Sequence, residues 1–189
     1  MRHTLEPGAR VGGFRVIELL GRGGMGAVYR ALDETRGREV ALKLLQADFI
    51  DERMLARFAR ETNAGASLDH ENIAAVYSAG RHEGTPFLSM ELLPGGSLER
   101  LVARGGPLDP RRAAALGAGV ARGLAALHEA GFVHRDLKPA NVLLDGRGRP
   151  RIADLGLVGV LDASRSLTRT GELIGTPQYL APEQLGEKG

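Results

Sequence analysis

The 189-residue chain has no cysteine and no tryptophan, and its five phenylalanines and three tyrosines amount to only 4% of it. Without cysteine there is no disulfide scaffold, no thiol nucleophile and no thiolate metal site. Long apolar runs are also missing. The longest, residues 113–121, lies between Arg112 and Arg122 and falls far short of the roughly 20 residues a membrane-spanning helix needs. The opening Met1-Arg2-His3-Thr4-Leu5-Glu6-Pro7 lacks the apolar stretch of a secretory signal. These absences predict a soluble, cytoplasmic chain, any membrane anchor of a longer parent lying downstream. Lysine is scarce too: 22 of the 25 basic residues are arginine, and lysine stands only at Lys43, Lys138 and Lys188. The net charge of +2 comes without a basic stripe interleaved with aromatics, which speaks against nucleic-acid binding. What is present suffices for a core, since 43% of residues are hydrophobic and 25% charged.

Along the chain, residues 11–46 read as β-rich. Apolar stretches at 14–20, 27–32 and 39–45 are separated by the glycine run 21–26 and a polar turn at 33–38. A helix is expected over 51–68, with Asp51 and Glu52 in its first turn suiting the helix dipole. Residues 73–77 and 87–92 read as two further strands, and Pro94-Gly95-Gly96-Ser97 marks the best domain boundary. Beyond it Ala113, Leu116, Val120, Leu124 and Leu127 fall on one helical face closed by Gly131. Residues 142–144 and 151–153 flank Asp145-Gly146-Arg147-Gly148 as a hairpin. Residues 154–176 lack periodicity, which in an ordered chain points to a lid or binding loop.

Several residues carry chemistry. Gly21, Gly23 and Gly26 have two readings: an ordinary glycine-rich turn, or a hairpin whose bare backbone N–H groups lie over phosphates. A dinucleotide-binding fold would open a helix there, but Ala27-Val28-Tyr29 favours a strand, which sets aside a dinucleotide oxidoreductase. Lys43 ends Val40-Ala41-Leu42-Lys43, and alternation puts it on one face with Ala41. Glu61 lies near the core-facing side of its helix, either solvated at the edge or meeting a cation such as Lys43. The most specific segment is His134-Arg135-Asp136-Leu137-Lys138-Pro139-Ala140-Asn141, in which Pro139 excludes regular helix and enforces a shaped loop. Thirteen residues after Asn141 comes Asp154-Leu155-Gly156. Asn141 and Asp154 are oxygen donors of the kind Mg²⁺ takes when phosphates complete its shell.

With these residues in place the chain resembles a eukaryotic-like (Hanks-type) protein kinase, looking most like the bacterial serine/threonine branch. The glycine-rich loop with Val28, the Val40–Lys43 strand, His134 to Asn141, Asp154-Leu155-Gly156 and Ala181-Pro182-Glu183 occur in the family's order. The resemblance implies an α+β, bilobal fold: a β-rich small lobe over 1–93, a linker at 94–97 and a mainly helical large lobe over 98–189. It implies ATP and Mg²⁺ as cofactors. Gly21, Gly23, Gly26 and Val28 would cover ATP, Lys43 would meet its α- and β-phosphates, and Glu61 would hold Lys43. Met90 would back the adenine pocket, the backbone of Glu91 to Leu93 would read the base, and Val28, Ala41 and Leu143 would sandwich it. Asp136 would take the proton of a substrate hydroxyl, Lys138 would steady the γ-phosphate, and Asn141 and Asp154 would hold Mg²⁺. The implied partners are proteins bearing serine or threonine, together with a second kinase copy for phosphorylation in trans. Thr168 and Thr170, flanking Arg169, are the expected phosphate acceptors, with Arg135 positioned to bind the added charge.

Three features depart from the family pattern. Leu155 stands where phenylalanine is usual, and Gly65 replaces a bulkier residue four positions after Glu61. The chain also stops six residues after Glu183, so it is expected to be a fragment whose large lobe lacks its C-terminal helices. The second hypothesis is therefore a catalytically impaired module that binds nucleotide or docks partners.

Overall fold

The computed structural model describes residues 4–23, 26–45, 69–134, 136–154 and 179. The expected helix at 51–68 with Glu61 and Gly65, Arg135, and the stretch with Leu155, Thr168, Thr170 and residues 181–183 lie outside the described residues. The chain divides into two compact units. The first comprises Met1–His70 and Ala74–Pro94, the second Glu71–Ile73 and Gly95–Gly189.

The first unit is built on a six-stranded antiparallel sheet of order β1-β2-β3-β4-β6-β5: β1 (Arg10–Val11), β2 (Phe14–Gly23), β3 (Gly26–Asp33), β4 (Arg38–Leu45), β5 (Val76–His82) and β6 (Thr85–Met90). Strand alternation explains its start: Phe14 and Val16 are buried and Arg15 exposed. One face gathers Val11, Phe14, Ala31, Val40, Leu42 and Phe87 into a core cluster, with the Phe14 and Phe87 rings edge to face at 5.5 Å. Leu5 packs against this cluster, and its backbone N–H donates to the Tyr29 hydroxyl at 3.2 Å.

The strands expected at 14–20, 27–32 and 39–45 correspond to β2, β3 and β4. Those expected at 73–77 and 87–92 are displaced: β5 runs on to His82 and β6 begins at Thr85. The two are joined by Glu83-Gly84, both at positive φ (48° and 77°), the geometry of a tight hairpin turn. The polar run Arg81-His82-Glu83 hides this hairpin from a hydrophobicity reading.

The second unit holds two described helices, α1 (Leu98–Gly105) and α2 (Pro110–Glu129), and the hairpin β7 (Val142–Leu144) with β8 (Pro150–Ile152). Ser97 caps α1 by accepting from Arg100 N–H. Asp109 caps α2 by accepting from Arg111 and Arg112 N–H, with Pro110 at the first helical position. Of the face expected on α2, Leu116 and Leu127 are buried, Val120 and Leu124 are half-buried, and Ala113 is exposed. Glycines complete the buried line. A Cβ on Gly119 would come within 2.5 Å of Pro150 Cγ, and one on Gly123 within 2.8 Å of Asn72 O. The helix thus lies close against β8 and residues 71–73, where Ile152 N–H donates to Asn72 O and Asn72 Nδ2 donates to Pro150 O. No helix among the described residues is long and apolar enough to cross a membrane.

Candidate active site

In the first unit, pairing register defines one face of the sheet. Val28 stands opposite Lys43, Lys43 opposite Leu88, and Ala41 opposite Met90. Directly opposed residues of antiparallel strands share a face, and so do positions two apart. Val28, Ala41, Lys43 and Met90 are therefore together on the face opposite the Val40–Leu42 cluster. Lys43 is only 7% exposed, on a strand whose neighbours are nearly all buried. Gly21 pairs with Val28 and Gly23 with Gly26, so the β2–β3 ladder includes these three glycines. Gly26 is glycine for an internal reason, since a Cβ there would fall on the Leu44 carbonyl. Beside Gly21 and Gly23 no described atom lies within 4 Å of where a Cβ would be, so packing among the described residues does not require glycine at either position. Open backbone of this kind suits close approach by a ligand. At the end of β6, Glu91 N–H donates to Ala75 O and the Glu91 carboxylate accepts from Ala75 N–H, fixing the chain that leads to the buried Leu93.

In the second unit, the segment 134–141 folds back on Asp136. Lys138 Nζ donates to Asp136 Oδ1 at 3.1 Å and pairs with Oδ2 at 3.0 Å. Asn141 Nδ2 donates to Asp136 O at 2.8 Å and to Asp136 Oδ2 at 3.0 Å. The backbone N–H of Asp136 points to His134, whose O lies at 2.8 Å and Nδ1 at 3.3 Å. His134 is buried, and its Nε2 is 3.0 Å from Ala153 O, so its Nε2–H donates to that carbonyl when Nδ1 serves as acceptor. Pro139–Asn141 form a single 3₁₀ turn, which delivers the chain into β7.

Asn141 and Asp154 are brought together by the hairpin. Ala153 N–H donates to Asn141 O at 2.9 Å, continuing the β7–β8 ladder one step beyond Val142 and Ile152. Asp154 follows at φ 65°, a left-handed conformation uncommon for a residue other than glycine. Because both Asn141 Nδ2 contacts go to Asp136, the side-chain oxygen of Asn141 is its remaining ligand atom. No cluster of three or more His, Cys, Asp or Glu side chains occurs among the described residues. A cation here would thus complete its shell with phosphate and water oxygens, and an amide oxygen with a carboxylate fits Mg²⁺ in that mode.

Residue by residue, then, Val28, Ala41, Lys43 and Met90 share one face, and Asp136, Lys138 and Asn141 form one hydrogen-bonded group beside Asp154. The Asp136–His134–Ala153 link is invisible to a motif reading, although His134 opens the most specific segment of the sequence.

This arrangement of parts is that of a known class. The chain belongs to the protein kinase domain family, which matches residues 14–189. It is 44% identical over 188 residues to the DNA damage-responsive serine/threonine-protein kinase RqkA of Deinococcus radiodurans, covering 95% of this chain and 27% of that protein. It is 42% identical over 185 residues to the serine/threonine-protein kinase PknL of Mycobacterium tuberculosis, covering 97% of this chain and 46% of that one. The chain thus spans less than half the length of these curated relatives. Among solved structures, the PknI kinase domain of Mycobacterium tuberculosis matches with a TM-score of 0.72 and 30% identity, covering 87% of this chain and 69% of that one. The α+β kinase fold expected from the motifs is therefore present, the sheet unit corresponding to the small lobe and the helical unit to part of the large one.

Proposed function

We propose that the protein is a serine/threonine kinase, transferring the γ-phosphoryl group of ATP to protein hydroxyls. The observation that carries this reading is the group around Asp136, where an acid is held by an ammonium, a carboxamide and its own backbone N–H. Phosphoryl transfer needs little covalent chemistry from the protein, and catalysis is mostly positioning and charge stabilisation. In this reading Asp136 orients the substrate hydroxyl and takes its proton as the new O–P bond forms and the bond from the γ-phosphorus to the β–γ bridging oxygen breaks, releasing ADP. Lys138 stabilises the transferring group. Lys43 binds the α- and β-phosphates, with Glu61 as its partner. Gly21, Gly23 and Gly26 bring backbone N–H groups to the phosphates. Val28, Ala41 and Leu143 hold the adenine, Met90 lies behind it, and the backbone from Glu91 to Leu93 reads its edge. Asn141 and Asp154 would hold Mg²⁺, which neutralises charge on the phosphates. Thr168 and Thr170 are the proposed acceptors for a second copy acting in trans.

Titration with ATP tests the reading. Binding is expected to require Mg²⁺ and to weaken at least tenfold, about 1.4 kcal/mol, in Lys43→Ala and in Asp154→Ala. Asp136→Asn should keep nucleotide binding yet lose transfer to protein substrate and to Thr168 and Thr170, read by mass spectrometry. Equal ATP affinity with and without Mg²⁺ in a folded sample would overturn it. Retained nucleotide binding without transfer by the parent chain would instead favour the docking module.

A further inference from the structure

We infer that Gly95 is a positioning residue for the adenine-binding strand, acting through backbone contact with β7; this rests on the nucleotide reading of Leu143. Residues 95–97 run alongside β7, held by two backbone hydrogen bonds and one isolated bridge. Gly95 N–H donates to Leu144 O at 2.9 Å, Leu144 N–H donates to Gly96 O at 2.8 Å, and Ser97 bridges Leu143 in antiparallel register. The approach is closer than any side chain allows: a Cβ on Gly95 would stand 2.7 Å from both Leu144 O and Leu144 Cβ, and 3.0 Å from Leu144 C. Two of those three atoms are backbone, so the collision cannot be relieved by a rotamer change, and backbone must move. At the other end of the clamp, Ser97 caps α1, so the segment is held there too and the collision is shared between the exposed turn at Pro94-Gly95 and β7.

β7 begins directly after Asn141 and carries half-buried Leu143 between buried Val142 and Leu144. A displacement of this strand moves the floor proposed for the base. Gly95 touches neither nucleotide nor reacting atoms in this account. It sets where Leu143 stands.

The neighbouring glycine supplies the control. Gly96 has φ 71° but no described atom within 4 Å of a Cβ, so Gly96→Asn keeps the left-handed conformation without a collision. Calorimetric titration with adenosine and with MgATP is expected to show Gly95→Ala weakening both by a similar factor, about five- to tenfold, at unchanged stoichiometry. Gly96→Asn should bind as the parent does. A purely structural role would instead lower the stoichiometry and leave the dissociation constant of the folded fraction unchanged; that result overturns the inference. So does parent-like affinity in Gly95→Ala, or equal losses in the two variants. Should Gly95→Ala fail to fold, amide exchange in the parent decides. The Gly95 and Leu144 amides should slow together when adenosine binds, and slowing at Leu144 alone counts against the clamp. A parent chain that binds no adenosine refutes the nucleotide reading itself, a different outcome from any of these.

Discussion

Asp33 and Asp145 do the same work in different units: each is a buried carboxylate closing a tight turn. Asp33 Oδ1 accepts from the backbone N–H of Thr35 and Arg36 and from the Thr35 hydroxyl. Asp145 Oδ1 accepts from the backbone N–H of Arg147 and Arg149, and its Oδ2 from Arg149 Nε at 2.8 Å. Burial alone pushes both carboxyls up. Hydrogen bonds and the arginines outweigh it, so both end below the ordinary carboxylate range. A carboxyl depressed in the folded state contributes stability that is fully present above the unfolded value of about 3.9, and this is lost as pH falls through the lower folded value. Thermal melts should therefore show Asp33→Asn and Asp145→Asn below the parent at pH 7, with the gap closing beneath about pH 4. A gap independent of pH would contradict the assignment.

At the scale of elements, α2 offers an internal comparison among three glycines. Gly119 and Gly123 lie under Pro150, Ile152 and Asn72, whereas no described atom lies within 4 Å of a Cβ on Gly117. Gly123→Ala is expected to destabilise by about 1–3 kcal/mol through overpacking. Gly117→Ala should stabilise by up to about 1 kcal/mol through helix propensity alone. Urea titrations of the two variants check both signs. The same helix shows where sequence reading stops. Its presence and its close before Gly131 were legible, because the spacing of Leu116, Val120, Leu124 and Leu127 is a local signal. The glycine half of its buried line was not, because a glycine adds nothing to a hydrophobic pattern and its value lies in what packs against it. Helix α1 escapes a hydrophobicity reading for a related reason: its eight residues present only Leu98, Leu101 and Val102 as large apolar side chains, and none of the eight is buried. The candidate site was more legible than the fold around it, since Lys43, Asp136, Lys138 and Asn141 stand in short contiguous motifs whose chemistry is written in the residues themselves. The His134–Ala153 contact across 19 residues, which ties the segment holding Asp136 to the end of the β7–β8 hairpin, depends instead on tertiary pairing.

For the molecule as a whole, the division into units does not follow a single cut. The chain enters the second unit at Glu71–Ile73, returns to the first at Ala74–Pro94 and leaves it again at Gly95. Ile73 is almost wholly buried and bridges Ile152, Asn72 O accepts from Ile152 N–H, and Arg151 donates to Ile73 O at 3.2 Å. A fragment of residues 95–189 loses all of these. It should show little amide protection at Ile152, and addition of a 69–75 peptide should restore part of it; strong protection in the fragment alone would refute this dependence. The same threading bears on inheritance. Were two related kinase genes recombined at the junction after Pro94, the descendant would take Asn72 from one parent and Gly119, Gly123, Pro150 and Ile152 from the other. Viable crossovers at that junction are thus confined to parents that agree on this handful of contacts, and over many generations those five positions should travel as one linked set while the surfaces around them diverge.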